Sequence, residues 1–148
     1  MANIGKFLAT KILNTTTRGE QFVFPDQLYV GLYTSNPTFN DTGQEVNGGS
    51  YVRKIVSFDA PVQTTVREYH PKTGALSDIQ KLVVRSSADT PFDVASGNWG
   101  VVTHFALRDA ATDGNLYYYG ELENPRSILT NDIFKFLASQ VEIRLSLS

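Results

Sequence analysis

The chain lacks cysteine and has few charged residues. Its 148 residues include no Cys, 19% charged residues and 41% apolar residues. The absence of cysteine excludes a disulfide framework and any cysteine-based metal site. The formal charge of −2 and the lack of a Lys/Arg run argue against a nucleic-acid-binding protein, which needs a basic face. The chain length and the fraction of apolar residues predict one domain with a single apolar core.

Long apolar runs and repeats are also missing. No segment approaches the ~20 apolar residues of a membrane-spanning helix, so we expect no membrane partner. Residues 1–13 lack the apolar core and small-residue cleavage site of a signal peptide. No repeat of solenoid or propeller length occurs, and no heptad, which excludes a fibrous shaft.

Residues 2–14 carry the pattern of a short amphipathic helix. Its apolar stripe consists of Ile4, Phe7, Leu8 and Ile12. Asn3 is its predicted N-cap, and Gly19 is predicted to end the segment. We therefore divide the chain into a helical arm, residues 1–19, and a β-domain, residues 20–148. The stripe can pack on its own domain or on another subunit, because so short a helix must bury it somewhere.

The rest of the chain is patterned as β-strands. Alternating or apolar segments occur at Leu28–Tyr33, Tyr51–Phe58, 82–84 and 141–148, and residues 66–80 have the pattern of a protruding hairpin. Turn residues recur roughly every ten positions, which predicts about seven or eight strands. The predicted fold is all-β, a jelly-roll-like antiparallel β-sandwich with a short N-terminal α-helix.

Residues 97–120 predict a hairpin rather than a reactive centre. Val101, Phe105 and Leu107 are expected on one face of the first strand, and a second strand begins at Leu116. Pro125 is expected to mark a further turn. Trp99 is expected with Tyr117 and Tyr119 at the edge of the core, with a ligand or subunit surface as the alternative.

The residues that usually carry chemistry are sparse. His70 and His104 are the only histidines, and a lone imidazole makes a weak metal site. Asp109 and Asp113 resemble a glycosidase pair, but both stand where a turn favours aspartate. We therefore predict no catalytic residue, no metal, no cofactor and no enzymatic activity.

The candidate interface lies in the arm and in two polar segments. Residues 35–50 form a long polar loop with one aromatic residue, Phe39, and Tyr69 lies in the hairpin. Phe39 can fold back on its own domain or anchor a neighbouring subunit. The interface residues predicted from the sequence are Ile4, Phe7, Leu8, Ile12, Phe39 and Tyr69.

Four segments of the chain are similar to a family of tailed-bacteriophage proteins. The helix ends in Ala9–Leu13, LYVGLYTSNP spans Leu28–Pro37 and EVNGGSYVR spans Glu45–Arg53. The longest match, WGVVTHFALRDAATDGNLYYYG, runs from Trp99 to Gly120. Members are described as tail-fibre-like proteins, and jelly-roll proteins that resemble them serve as capsid cement. Residues 61–80 depart from the resemblance, being longer and more polar than the linker expected there.

The resemblance implies a virion structural protein made in the bacterial cytoplasm. A small domain without a shaft favours a capsid cement or decoration protein on the capsid surface, bound to the major capsid protein and tying capsomers together. A homotrimer at local three-fold axes suits that role. The alternative is a short tail-fibre or baseplate adhesion protein that binds the host surface with Trp99 and tyrosines exposed. A second alternative is a secreted lectin or glycosidase-like domain.

Overall fold

A computed structural model describes residues 2–146, which form one helix and ten strands. The first elements are β1 (Ala2–Ile4), α1 (Lys6–Arg18), β2 (Leu28–Tyr33), β3 (Lys54–Val56), β4 (Val62–Tyr69) and β5 (Leu76–Arg85). They are followed by β6 (Thr90–Pro91), β7 (Gly100–Arg108), β8 (Leu116–Ile128), β9 (Lys135–Phe136) and β10 (Glu142–Ser146). The prediction of a β-rich chain with a short N-terminal helix is confirmed.

Eight strands form one sheet in the order β3-β2-β7-β8-β1-β10-β5-β4. Neighbouring strands are antiparallel except for β1 and β10, which are parallel where Ala2 faces Ile143. β6 and β9 form a separate two-stranded ribbon. The antiparallel character agrees with the sequence, while the jelly-roll arrangement stays a prediction.

The N-terminal segment begins with a strand rather than a helix. Ala2–Ile4 pairs with residues 118–120 of β8, so the helix starts at Lys6 and not at residue 2. Gly5, not Asn3, is the N-cap, and no side chain caps the helix there. The helix end is as predicted, because Gly19 adopts the left-handed conformation with φ of 71°. Long-range pairing with β8 overrides the helical pattern of these first residues.

The main core lies on one face of the central strands. It joins Val30 and Leu32 of β2 with Phe105 and Leu107 of β7. The ribbon and its flanking loops cover this face with aromatic rings, including Phe92, Phe134 and Phe136. The opposite face buries Tyr33, Ala106 and Leu116, and α1 packs on β8.

The prediction of which β7 side chains face the core is wrong for Val101. Val102 is fully buried and Val101 is half exposed, although Phe105 and Leu107 are buried as expected. The pairing with β8 shifts between Val102 and His104, so the alternation slips within the strand. Pro125 lies in the corresponding irregular part of β8, which continues to Ile128, rather than in a turn between strands.

The remaining strands differ from their predicted lengths. The segment predicted at Tyr51–Phe58 is regular only at Lys54–Val56, and Phe58 forms an isolated bridge to Ser86. The hairpin is confirmed but longer, because residues 82–84 belong to β5 rather than to a strand of their own. The segment predicted at 141–148 is regular from Glu142 to Ser146. Val141, which precedes β10, is buried, whereas Leu145 on the same predicted face is 55% exposed. Positions 147–148 lie outside the described residues.

Candidate functional site

The turn between β7 and β8 is held by Arg108, the last residue of β7. Its guanidinium forms a bidentate ion pair with Asp41 at 2.8 and 2.7 Å. It also donates to the carbonyl oxygens of Asp113 at 3.2 Å and Gly114 at 2.9 Å. The hydroxyl of Tyr33 accepts a further bond at 3.0 Å. One buried side chain therefore ties the turn to β2 and to the loop that carries Asp41.

Arg53, which precedes β3, holds the same turn. It pairs with both carboxylate oxygens of Glu45 at 2.8 and 2.7 Å. It also donates to the carbonyls of Ala110 and Asp113 at 2.9 and 2.8 Å. Tyr51 completes the network, because its hydroxyl donates to Glu45 at 2.6 Å and accepts the Leu32 N–H at 2.9 Å.

These contacts explain the motif that spans Glu45–Arg53. Glu45, Tyr51 and Arg53 are close in sequence, yet their network reaches a turn more than fifty residues away. In the sequence this motif indicated only the family resemblance, and no role was predicted for these three residues. The spacing of a glutamate, a tyrosine and an arginine in one motif was the available indication of a polar network.

Burial and pairing fix the protonation states in this network. Burial raises the pKa of the Tyr51 hydroxyl, and its hydrogen bond to Glu45 raises it further. Burial alone would lower the pKa of Arg108, but the hydrogen bond to Asp41 and the other interactions outweigh it, so the net pKa is raised. The tyrosine therefore remains a neutral donor and the arginine remains charged, as structural roles require.

The two aspartates of the turn shape its backbone. Asp109 accepts the N–H of Asn115 at 2.7 Å on one oxygen and its side-chain amide at 3.1 Å on the other. Asp113 has a φ of 52°, and its carbonyl accepts bonds from both arginines. The arrangement supports the prediction that these residues serve turn geometry and gives no acid–base pair.

Trp99 belongs to the core. It is 5% exposed, and its indole N–H donates to the carbonyl of Gly49 at 2.8 Å. Its ring packs edge-on against Tyr51 and Phe92. Tyr117 is also buried, against Phe7 of the helix. These rings confirm the core interpretation, and the exposed aromatic surface expected of an adhesion protein does not include them.

Both histidines make local polar contacts. His104 lies 2.7 Å from the Thr103 hydroxyl through its Nδ1, and His70 Nδ1 accepts the N–H of Lys72 at 3.1 Å. Within residues 2–146, no group of three His, Cys, Asp or Glu side chains is placed to hold a metal ion. The same part of the chain has no helix long and apolar enough to cross a membrane.

The six predicted interface residues separate into two groups. Ile4 pairs within the sheet, Leu8 is buried, and Phe7 contacts Phe22 and Tyr117 of its own chain. Ile12, Phe39 and Tyr69 are 37%, 45% and 72% exposed. The structure thus buries Leu8, half-buries Ile4 and Phe7 against their own chain, and leaves the other three at the surface.

Phe7 and Phe39 line one groove of about 340 Å³ between the helix and residues 39–41. The carbonyl of Phe39 accepts the Lys6 N–H at 3.0 Å, which joins the long polar loop to the start of α1. Lys11 also lines the groove. Phe39 therefore rests on its own domain through its backbone while exposing its ring.

A second cleft, of about 470 Å³, opens beside the irregular pairing of β7 and β8. Its floor includes Phe105 and Phe136, and Glu123 and Arg126 stand at its polar rim. This cleft was not predicted from the sequence. Its sequence indication was Pro125, which lies in β8 where residues 122–125 leave the regular register.

Before any comparison, the geometry defines only a structural class. The described residues form a β-rich domain with one short helix, and buried arginine networks brace the turn between β7 and β8.

Comparison with known proteins identifies the family of the chain. A family model described as the podophage GP4 fiber I protein gp80 matches residues 3–144, and the chain belongs to this family. A search of curated proteins finds no significant match. The similarity to tail-fibre-like phage proteins predicted from the four motifs is therefore confirmed, and with it the class of virion structural protein.

Proposed function

We propose that this chain is a structural subunit of the short tail-fibre apparatus of a podophage. The observation that carries the proposal is the family match, which spans 142 residues, from residue 3 to 144, and is described as a fiber protein. This favours the alternative in our sequence analysis over the capsid cement interpretation. The proposal includes neither catalysis nor a cofactor.

The fold supports a compact fibre subunit rather than a shaft. One eight-stranded sheet contains both ends of the described chain, because β1 and β10 are adjacent strands. Arg53 and Arg108 hold the turn that connects β7 and β8, which suits a rigid structural part. The chain would serve as a globular joint or tip in the fibre, assembled with other virion proteins and with copies of itself.

Capsid decoration is the second candidate. It is favoured by the shaftless fold and by the exposed Phe39 and Tyr69, which could contact a shell lattice. In that role the chain would lie on the capsid surface, bound to the major capsid protein as a homotrimer, and the predicted jelly-roll arrangement belongs to the same proposal. The buried Trp99 weighs against sugar stacking through that ring in either role.

Location in the particle separates the two candidates. Gold-labelled antibody against the purified chain should mark the tail of intact virions. A phage carrying an amber codon in this gene should give filled heads without fibres under non-suppressing conditions, and a suppressor strain should restore the fibres. Label on the head, or heads that burst on heating while fibres remain, would overturn the fibre proposal in favour of decoration.

A further inference from the structure

β4 is a free edge of the eight-stranded sheet. The sheet ends at β3 on one side, with three residues, and at β4 on the other, with eight. β4 pairs with β5 in an unbroken register from Val62 to Tyr69. Among residues 2–146 no other strand pairs with it. One side of its backbone therefore has N–H and C=O groups that no neighbouring strand uses.

The turn of the hairpin shows which backbone groups face outwards. The His70 N–H donates to the carbonyl of Ala75 at 2.8 Å, so this pair is hydrogen-bonded. Hydrogen-bonded and non-hydrogen-bonded pairs alternate along an antiparallel ladder. Even-numbered residues of β4 therefore bond to β5, and odd-numbered residues point their backbone groups away from it. The outward residues are Gln63, Thr65, Arg67 and Tyr69.

β4 carries few of the features that usually protect an edge strand. Free edges are commonly blocked by proline, by charged side chains (lysine above all), by a bulge or by a very short strand. Of these, β4 has only the charges of Arg67 and Glu68, which pair with Asp78 and Lys81 of β5. Val62–Tyr69 contains no proline or lysine, and its register with β5 has no bulge. Tyr69 is 72% exposed, and Leu76 opposite it is half exposed. The edge is therefore open to strand addition.

The sequence of β4 is self-complementary in one antiparallel register. A two-fold axis at Val66 places Thr65 opposite Arg67 of a second copy, and Gln63 opposite Tyr69. All outward groups are then paired, which gives about eight hydrogen bonds between the copies.

The neighbouring registers are worse. An axis at Thr65 places Tyr69 opposite Pro61, which has no N–H to donate. An axis at Arg67 sets two arginines directly opposite each other, and an axis at Glu68 sets two glutamates opposite each other. Like charges directly opposite are destabilising. Of these registers, only the one centred on Val66 pairs every outward N–H and C=O group of β4 and places no like charges opposite each other.

We propose that two copies of this chain join edge to edge through β4, so that their sheets become continuous. The contact is isologous and links copies in pairs, so a three-fold ring would need another surface. It is independent of whether the particle carries the chain in its tail or on its head.

Thr65→Pro is the direct test. Proline removes an N–H that points away from β5, a position where edge strands tolerate it, so the hairpin should remain folded. Sedimentation equilibrium should show dimers for the wild type, and the variant should associate at least about tenfold more weakly. Thr65→Ala keeps the N–H and serves as the matched control, which should dimerise. Circular dichroism and the urea midpoint report whether both variants are folded.

Hydrogen exchange gives a second readout that a purely structural effect would not produce. In the dimer, the amides of Thr65 and Arg67 should exchange more slowly as concentration rises, whereas those of Thr64 and Val66 should not change. A wild type that stays monomeric up to about 1 mM overturns the proposal. So does an oligomer that Thr65→Pro leaves intact, or one in which the odd-numbered amides exchange freely.

Discussion

The turn at residues 109–115 and the β4–β5 hairpin both reverse the chain between antiparallel strands, but different forces hold them. Distant side chains clamp the first, with Arg53 and Arg108 bonding three of its carbonyls. Local bonds hold the second, such as that of Lys72 N–H to His70. The ion pair Arg67–Asp78 between its strands has both side chains exposed, at 61% and 63%. The central turn thus takes its shape from the rest of the fold, and the hairpin from its own residues.

The largest difference between the two regions should appear when each loses its arginine. Arg108→Met removes a buried bidentate pair and leaves Asp41, the Tyr33 hydroxyl and the Gly114 carbonyl without their donor, while the Asp113 carbonyl keeps its bond from Arg53. We expect a loss of about 2–3 kcal/mol in the free energy of unfolding. Arg67→Met removes an exposed pair and should cost under about 0.5 kcal/mol.

Urea denaturation at a concentration where the chain is monomeric measures both variants under the same conditions. Equal losses for Arg108→Met and Arg67→Met would show that the clamp adds nothing beyond an ordinary surface pair. A larger loss at Arg67 would reverse the comparison.

The glycines of the two reversals provide a smaller test. Gly114 and Gly74 have nearly the same φ, 73° and 70°, so alanine meets a similar backbone penalty at both. A Cβ at Gly114 would lie 2.5 Å from the Asp109 carboxylate, whereas at Gly74 nothing lies within 4 Å. We expect Gly114→Ala to cost about 2 kcal/mol and Gly74→Ala about 1 kcal/mol.

The difference between these two variants isolates the tight packing of the central turn. Thermal unfolding of both, with the wild type alongside, gives the two losses directly. Equal losses in stability for Gly74→Ala and Gly114→Ala would mean that the positive φ alone accounts for both. The Asp109 carboxylate would then move away from the new Cβ at no cost in stability.

The predictions from the sequence are most accurate where the residues of an element determine it by themselves. Leu28–Tyr33 was expected from alternation and is β2 with the same bounds, and Gly19 ends the helix as its conformational freedom predicts. The errors occur where pairing with a strand distant in sequence determines the local structure. Ala2–Ile4 is a strand because it pairs with β8. Val102 occupies the core position expected for Val101 because the pairing of β7 with β8 shifts in register.

The candidate site shows the same division. The aspartates of the turn were predicted as structural from local preference alone. The arginine clamp was not predicted, because Arg53 and its carbonyl acceptors lie 57 and 60 residues apart and only the folded sheet brings them together. Local patterns therefore predicted elements, and long-range pairing determined the network between them.

The smallest predicted effect lies at the junction of the two regions. Glu142 of β10 faces Arg85 of β5 and pairs with it at 2.8 Å, and it also pairs with Arg144. Burial alone would raise the pKa of Glu142, but the hydrogen bonds from Arg144 and Arg85 outweigh it and lower the pKa below its ordinary 4.5. The charged carboxylate therefore stabilises the fold. This contribution is complete above pH 4.5 and is lost as the pH falls through the lower, folded-state pKa.

Glu142→Gln should consequently lower the free energy of unfolding at pH 6 by less than about 1 kcal/mol, and the difference from the wild type should shrink as the pH falls to about 3. Glu121→Gln is the matched control, since Glu121 makes no ion pair with any described residue. Hydrogen exchange at β5 and β10 reports whether the loss is local to the junction. A pH-independent difference between Glu142→Gln and wild type would mean that the glutamate acts through packing and that charge does not couple the hairpin to the rest of the sheet.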